Sequence, residues 1–198
     1  MARMEPLPPD ASDDPELLET FEHFMQTLGM VPASLLTMQR VPAIAKATVA
    51  FNRAVFAPDG KIDVGFKRLV GHVASAAAGC QYCKAHTVVS ATRAGIDDAK
   101  MAAIYEYRTS PLFSERERVA LDYAMAAGSV PNAVTDELYA ELAEHWSEEE
   151  IVEILGVVCM FGIFNRWNDS MATTLEPDAI AVTEPLLGDK GWEIGKHV

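Results

Sequence analysis

The sequence predicts an all-α protein that forms a single compact domain of about eight helices. Apolar residues recur at helical spacing over most of the chain, and no useful stretch alternates apolar and polar residues as a half-buried strand would. Helix-opening signals recur, including two Ser-x-x-Glu capping boxes. Because 198 residues are enough for one well-buried core, we expect one domain.

Five helical segments are predicted in the first half of the chain. Residues 1–14 are rich in proline and aspartate and are expected to form a loose N-terminal arm. Pro15 suits the first turn of a helix, and the acidic residues around it suit the positive helix end. Breaks follow at the turn sequence PDG, residues 58–60, and at Gly79. The predicted segments are residues 15–28, the short turn SLLTMQ after Pro32, and residues 42–56, 63–78 and 80–93.

Four more helices are predicted in the second half. Capping boxes at residues 114–117 and 147–150 open two of them. Residues 176–198 have proline and glycine breaks and little periodicity, so we expect an irregular C-terminal tail and a helical domain over residues 15–175. The predicted segments are residues 97–107, 114–127, 135–146 and 147–175.

The composition disfavours several function classes. The formal net charge of -13 and the pI of about 4.7 disfavour nucleic acid and anionic membrane surfaces as partners, because like charges repel. The longest apolar run, residues 151–164, contains Glu153 and is too short to span a membrane. Since the N-terminus shows no secretory signal pattern, we expect a cytoplasmic protein. No glycine-rich phosphate loop is present, and no cofactor is predicted.

The stretch AAGCQYCKAH, residues 77–86, holds the main candidate site. Cys80, Cys83 and His86 are three residues apart, so on a helix their side chains share one face. The break at Gly79 leaves free backbone N–H groups near Cys80, and the positive helix end favours a thiolate there. His86 can exchange a proton with Cys83 or with a leaving group. This pattern is typical of a dithiol that reduces an O–O or S–S bond and then closes a disulfide.

Two other interpretations of these residues stay open. The cysteines could be small buried apolar side chains, as cysteines often are. They could also bind a metal with His86, in which case His72 or His145 would have to provide the fourth ligand of a structural zinc site. The chain has no second CxxC pair, and we predict no metal. Cys159 has apolar neighbours and is expected to be a buried, inert thiol.

The cysteine motif resembles that of a known family. A helix that ends in small residues and glycine, then C-x-Y-C, a nearby histidine and a later Ala-Gly pair are similar to the alkylhydroperoxidase D-like/carboxymuconolactone decarboxylase superfamily, in particular its peroxidase-related subgroup. The resemblance is most specific over residues 70–96. It implies an all-helical fold that assembles as homotrimers or homohexamers. It also implies that Cys83 attacks the substrate, Cys80 resolves the intermediate and His86 relays protons, whereas the helix end alone favours Cys80 as nucleophile.

The chain departs from the family pattern at two positions. The family's histidine lies four residues after the second cysteine, where this chain has Thr87. The family's relay glutamate lies about twelve residues before the first cysteine, where this chain has Arg68, a permanent cation that can stabilise a thiolate but cannot act as a base. His72, one turn later on the same face, is a candidate replacement for the proton acceptor. The alternatives are a packing histidine at position 72 and a surface cation at position 68.

The late helix has two further features. It is apolar nearly all round over residues 151–164, which predicts that it is covered in a subunit interface. Asn165 and Asn168 lie in this apolar helix, where buried amides need partners. They could face the cysteines, or they could make hydrogen bonds between helices or subunits.

Together these observations predict a cofactor-free thiol peroxidase or related dithiol–disulfide oxidoreductase. The expected partners are a small hydroperoxide and an external thiol reductant system. One alternative is a carboxymuconolactone decarboxylase-like lyase that does not use the cysteines, and another is a non-catalytic metal-binding oligomer. The candidate catalytic residues are Cys83, Cys80, His86, His72 and Arg68.

Overall fold

The computed structural model describes residues 2–28 and 30–198, and these residues form helices, turns and loops without a strand. Eight of the ten α-helices in the described ranges contain ten residues or more. The predicted all-α class is therefore confirmed. The helices are α1 (Pro15–Leu28), α2 (Ala33–Met38), α3 (Pro42–Val55), α4 (Val64–Ala78), α5 (Gln81–Arg93), α6 (Asp98–Ala102), α7 (Glu115–Gly128), α8 (Asp136–His145), α9 (Glu148–Met171) and α10 (Pro177–Leu187).

Two long helices begin at the capping boxes that the sequence predicts. At the start of α7, the Ser114 hydroxyl accepts the Glu117 N–H (3.3 Å) and the Glu117 carboxylate accepts the Ser114 N–H (2.9 Å). Ser147 and Glu150 form the same reciprocal pair at the start of α9. Each box satisfies backbone donors that the first turn of a helix leaves without a partner.

Helix α4 lies at the centre of the fold, where it packs against α5, α7 and α9. Its Leu69, Val70 and Val73 side chains are buried in a core that continues through those three helices. A smaller apolar cluster is formed by α1, α2 and α3, and Trp167 of α9 packs against it. The larger core holds α4 and α5, the two helices that meet at the cysteines.

A buried ion pair explains the glutamate inside the apolar run of α9. Lys67 of α4 is buried, and its Nζ lies 2.8 Å from Oε2 of Glu153 and donates to the Val55 carbonyl (2.9 Å). The Glu153 carboxylate also accepts the backbone N–H groups of Lys61 (2.8 Å) and Ile62 (3.1 Å). These hydrogen bonds offset the cost of removing both charges from water, and they join α4 to α9.

The C-terminal tail differs from the sequence prediction. Helix α9 ends at Met171 instead of residue 175, because Ala172 adopts a left-handed conformation with φ 46. The tail that was expected to be irregular contains α10, which packs on α5. Its start carries the same signal as α1, a proline in the first turn at Pro177. Burial of three residues at four-residue spacing then makes it stable: Ala179, Thr183 and Leu187.

The N-terminal arm, expected to be loose, is bonded to the α2 region. The Leu7 N–H donates to the Leu36 carbonyl (3.2 Å), and the Gln39 side chain donates to the carbonyls of Leu7 and Pro8. The helix expected over residues 97–107 is also shorter, since α6 ends at Ala102 and a 3₁₀ turn follows. No helix in the described residues has the length and apolar character needed to cross a membrane.

Candidate active site

Cys80 and Cys83 lie at the corner where α4 meets α5. Gly79 ends α4 in the left-handed region (φ 74), a conformation that glycine adopts without strain. Cys80 is the N-cap of α5, and its sulfur accepts the backbone N–H of Cys83 (3.4 Å). Both cysteines are buried and neither is in a disulfide. The helix end therefore places two free thiols within one turn, as the sequence predicts.

The two thiols differ in their access to substrate. Cys83 lines a mainly apolar cavity of about 500 Å³ between α3, α4, α5 and α9, whereas Cys80 is not part of its wall. The amide of Asn168 on α9 points at the Cys83 sulfur, with an Nδ2–Sγ distance of 3.6 Å. Asn168 thus faces the cysteines, while Asn165 makes a long contact to the Ala74 carbonyl (3.5 Å). A molecule in the cavity therefore meets Cys83 and not Cys80.

The thiols also differ in acidity. The hydrogen bond from the Cys83 thiol lowers the pKa of Cys80 and outweighs the burial that raises it, with the Cys83 N–H adding to the effect. Burial and the interaction with Cys80 raise the pKa of Cys83 well above its ordinary value, and the Asn168 amide acts in the opposite direction. The pair therefore loses its first proton as a unit, with the charge on Cys80 and the remaining proton on Cys83. This reconciles the two sequence arguments: the helix end stabilises Cys80, and the cavity exposes Cys83.

His86 lines the same cavity and is held by a carboxylate. Its Nε2 lies 2.8 Å from Oε2 of Glu176, and its ring stacks on Tyr82 with ring centres 4.4 Å apart. The other oxygen of Glu176 accepts the Tyr82 hydroxyl (3.0 Å) and the Ala33 N–H (3.1 Å). Burial opposes ionisation of Glu176, but the hydrogen bonds from His86 and Ala33 prevail and lower its pKa. Glu176 is therefore an anion at neutral pH.

Sequence reasoning missed Glu176. It lies 90 residues after His86 along the chain and directly before α10, in the tail expected to be irregular. An acidic residue beside a helix-opening proline was a visible signal for a helix start, yet it carried no information about which histidine it would reach. A carboxylate from a distant part of the chain thus lies beside His86.

His72 lies outside the cavity wall, against α5 and Tyr105. The Thr87 hydroxyl donates to the Lys84 carbonyl (2.7 Å), so the Thr87 oxygen accepts from Nδ1 of His72 (2.8 Å). Burial, and then the charge of Lys84, lower the pKa of His72 to about 3. Position 87, where the family has its histidine, is therefore engaged with His72. This geometry fits a packing histidine better than a proton acceptor for the cysteines.

Arg68 lines the cavity but shows no sign of acting on the thiols. Its guanidinium carbon lies 3.5 Å from the centre of the Phe56 ring. The main influences on the pKa of Cys83 are burial and Cys80, which raise it, and the Asn168 amide, which lowers it. Arg68 is thus neither the free surface cation of one interpretation nor an evident partner of the thiolate.

The residues that could hold a metal ion differ from the set that the sequence predicts. In the described ranges, the potential donors that converge are Cys80, Asp169 and His197, whose ligand atoms lie within 4.8 Å of one another. The set predicted from the sequence, with His72 or His145 as fourth ligand, is not brought together. One sulfur, one oxygen and one nitrogen are one donor fewer than a structural zinc site uses.

The third cysteine, Cys159, is not buried as the sequence predicts. Cys159 is exposed on α9 instead of buried. The reason is that α9 buries one side against α3, α4, α5 and α7, whereas position 159 lies on its outer side with Val152, Leu155 and Ile163. Apolar neighbours along the chain do not ensure burial when the helix has an uncovered face.

Comparison with known proteins places this geometry in a family. The model of the carboxymuconolactone decarboxylase family matches residues 42–126. Among curated proteins, the uncharacterised protein YnjA of Escherichia coli is 37% identical over 93 residues, which are 46% of this chain and 50% of YnjA. This chain matches about half the length of that relative.

Solved structures resemble nearly the whole chain. The debrominase Bmp8, known as the apo protein and as a cysteine-to-alanine variant in complex with 2,3,4-tribromopyrrole, is 34% identical with a TM-score of 0.83, over 92% of this chain and 96% of Bmp8. An uncharacterised peroxidase-related protein with an alkylhydroperoxidase D core, from Ralstonia eutropha JMP134, is 20% identical with a TM-score of 0.81, over 90% of this chain and 94% of its own, and shows the shared fold. The chain therefore belongs to the carboxymuconolactone decarboxylase family, and it has the fold of the alkylhydroperoxidase D-like proteins.

Proposed function

We propose that this protein is a two-cysteine thiol peroxidase that reduces a small organic hydroperoxide and closes a disulfide between Cys80 and Cys83. One observation carries the proposal: Cys83 lines an apolar cavity, while the hydrogen bond from Cys83 lowers the pKa of Cys80 one turn earlier. Enzymes of this superfamily fold include a debrominase, so catalysis on this scaffold has precedent. The reductant that reopens the disulfide would be an external thiol system.

The reaction begins from a Cys80 thiolate and a Cys83 thiol. The Cys83 proton passes along the hydrogen bond to Cys80, and the new Cys83 thiolate attacks the outer oxygen of the hydroperoxide. An S–O bond forms, the O–O bond breaks, and the alkoxide takes a proton to leave as an alcohol. Cys80 then attacks the Cys83 sulfenic acid, the S–S bond forms, and hydroxide leaves with the Cys80 proton as water. The dithiol is oxidised by two electrons and the peroxide is reduced by two.

We assign the proton for the leaving alkoxide to His86. His86 lines the cavity, and its Nε2 lies 2.8 Å from the Glu176 carboxylate. The Tyr82 hydroxyl and the Ala33 N–H fix the carboxylate in place. His86 would thus serve as the proton relay that the family resemblance implies, with Glu176 as the carboxylate beside it.

A second candidate function is reductive dehalogenation, favoured by the 34% identity to a debrominase. The same dithiol can supply the electrons. The Cys83 thiolate takes the halogen from carbon, the resulting carbanion accepts a proton, and Cys80 displaces halide as the disulfide forms. Overall, one carbon–halogen bond and two thiols become one carbon–hydrogen bond, one disulfide, halide and a proton.

The decisive experiment is a thiol count with intact mass before and after one equivalent of cumene hydroperoxide. We expect loss of two thiols and about two mass units, as an intramolecular disulfide requires. Cys83→Ser should not react, and Cys80→Ser should stop at a sulfenic acid, about 16 mass units heavier. Cys159→Ser, which changes the exposed third cysteine, is the matched control and should behave as wild type.

A parallel reaction with 2,3,4-tribromopyrrole, followed by bromide release, separates the two candidates. Thiol loss with peroxide alone supports the peroxidase, and thiol loss matched by bromide supports the dehalogenase. Two intact thiols after both reagents would reject both functions and leave the lyase and metal-binding alternatives.

A further inference from the structure

Arg68 is a cation without an anionic partner in the wall of the cavity. Its guanidinium stacks on Phe56 at 3.5 Å. In residues 2–28 and 30–198, no carboxylate forms an ion pair with it, and its buried Nε–H has no acceptor. By contrast, the buried ammonium of Lys67, the preceding residue, pairs with Glu153 and donates to a carbonyl.

An unpaired guanidinium in an apolar wall is costly to maintain. It has lost part of its hydration, it carries five N–H donors and no acceptor, and stacking on one ring replaces only part of the lost interaction. Burial lowers the pKa of Arg68 to about 10, so the group keeps its charge at neutral pH. Such a cation is expected to gain an anion from outside the chain.

The cavity wall contains basic side chains although the whole chain is acidic. The protein has a net charge of -13, yet the cavity is lined by Arg68 and Arg93, with His86 between them in sequence and Asp178 as the acidic residue of the wall. Asp178 is exposed at the start of α10. Arg68 therefore gives the cavity a local positive charge, which can attract an anion that most of the protein surface repels.

We propose that the substrate of this site is an organic anion, a small apolar molecule whose one acidic group pairs with Arg68 while its apolar part lies beside Cys83. The planar guanidinium suits two-point pairing with a carboxylate and also pairs with the ionised oxygen or nitrogen of an acidic ring. Reaction at Cys83 rests on the proposed function, but binding of the anion does not.

Binding is tested without any reaction. Isothermal titration compares 4-isopropylbenzoate with its neutral analogue 4-isopropylbenzamide, and 2,4,6-tribromophenolate with its neutral methyl ether. We expect the wild-type protein to bind at least one anion about 10- to 100-fold more tightly than its neutral analogue, the usual value of a charge-assisted hydrogen bond. The carboxylate pair and the phenolate pair distinguish the two sources of the negative charge.

Variants assign the preference to Arg68. Arg68→Gln should reduce the anion preference to about twofold or less, and Arg68→Lys should retain part of it, since the charge stays and the planar fork is lost. Arg53→Gln, at an exposed position of α3, is the matched control and should keep the wild-type ratio. Equal binding of anion and neutral analogue by wild type, or an undiminished ratio in Arg68→Gln, overturns the proposal.

A turnover experiment then connects the two proposals. The probes are cumene hydroperoxide and the same hydroperoxide with a carboxylate on the ring. The measured quantity is kcat/KM for the carboxylated peroxide divided by kcat/KM for cumene hydroperoxide. A high ratio that falls in Arg68→Gln supports both proposals. If neither peroxide reacts but the binding preference holds, the peroxidase proposal fails while the anion site stands. If both peroxides react equally well, the anion site fails alone.

Discussion

At the scale of single residues, a nucleophilic thiol needs a low pKa and access to the substrate, and each cysteine has one of these two properties. Cys80 has the lower pKa because it caps α5 and accepts a hydrogen bond from Cys83. Cys83 has access to the substrate because it lines the cavity. A shared proton lets the charge move to the exposed sulfur when substrate arrives. Neither residue alone combines both properties.

The burial of His72 makes the stability of the fold depend on pH. It is wholly buried, donates from Nδ1 to Thr87, and has its pKa lowered to about 3. In the unfolded chain it takes up a proton near pH 6.5. The folded state therefore binds fewer protons than the unfolded state, and stability falls as the pH drops from about 6.5 towards 3.

We expect the substitution His72→Asn to remove this pH dependence, because asparagine can still donate to Thr87 but does not titrate. Between pH 6 and pH 4, His72 should cost the wild type roughly 2–3 kcal/mol of unfolding free energy beyond the loss seen in the variant. Urea unfolding at the two pH values measures the difference. His23→Asn, at an exposed histidine on α1, is the control and should follow the wild type. An equal acid loss in His72→Asn would contradict the assignment.

At the scale of helices, the close approach of α4 and α9 shapes the cavity. A Cβ at Gly71 of α4 would fall inside the van der Waals contact distance of the Phe161 ring on α9. Phe161 lines the cavity, and Asn168, two turns further along α9, reaches Cys83. A glycine in a helix normally weakens it, so this one is explained by packing. The position of α9 against the cysteines depends on that missing side chain.

The substitution Gly71→Ala should therefore destabilise the fold by about 1–3 kcal/mol, the usual cost of overpacking a core. It should also weaken ligand binding in the cavity, because the Phe161 ring has to move. Gly156→Ala, also in a helix but with its new methyl 3.7 Å from the nearest atom, is the matched control and should be neutral or slightly stabilising. Denaturant unfolding measures both. Equal effects of the two substitutions would show that the α4–α9 contact tolerates a side chain.

At the scale of the whole molecule, α9 leaves an apolar stripe uncovered. The α9 stripe consists of Val152, Leu155, Cys159 and Ile163, which recur at three- and four-residue spacing on one side of the helix. Val152 is 70% exposed, although it belongs to the run that the sequence predicts to be apolar all round. We propose that this stripe is covered by a second copy of the chain, in the trimer or hexamer that the family resemblance implies.

The double substitution Val152→Glu with Leu155→Glu should shift the protein to a monomer, because like charges then face each other across the contact. Light scattering after size exclusion gives the mass, and circular dichroism should show unchanged helix content, since both side chains are exposed. Val130→Glu, at an exposed valine outside α9, is the control and should leave the assembly intact. A monomeric wild type would refute the proposed contact, and so would a double variant that still assembles.

Much of the fold was predictable because its signals are local. Capping boxes at Ser114 and Ser147, proline starts and glycine stops act over one helical turn, so they can be read from the chain alone. The cysteine face was predictable for the same reason, since three-residue spacing on a helix needs no tertiary information. The α10 start at Pro177 carried such a signal too, but its packing on α5 made it a helix of the core.

By itself, the sequence determined the helical class, the corner at Gly79 and the pairing of two thiols on one helix end. Only the tertiary structure decided which cysteine lines the cavity, that Glu176 reaches His86, and that Arg68 has no carboxylate partner in the described chain. The physical reason is the distance along the chain over which each kind of interaction acts. Hydrogen bonds within a helical turn depend on neighbours in the chain, whereas burial, cavity access and long-range ion pairs depend on which helix faces pack together.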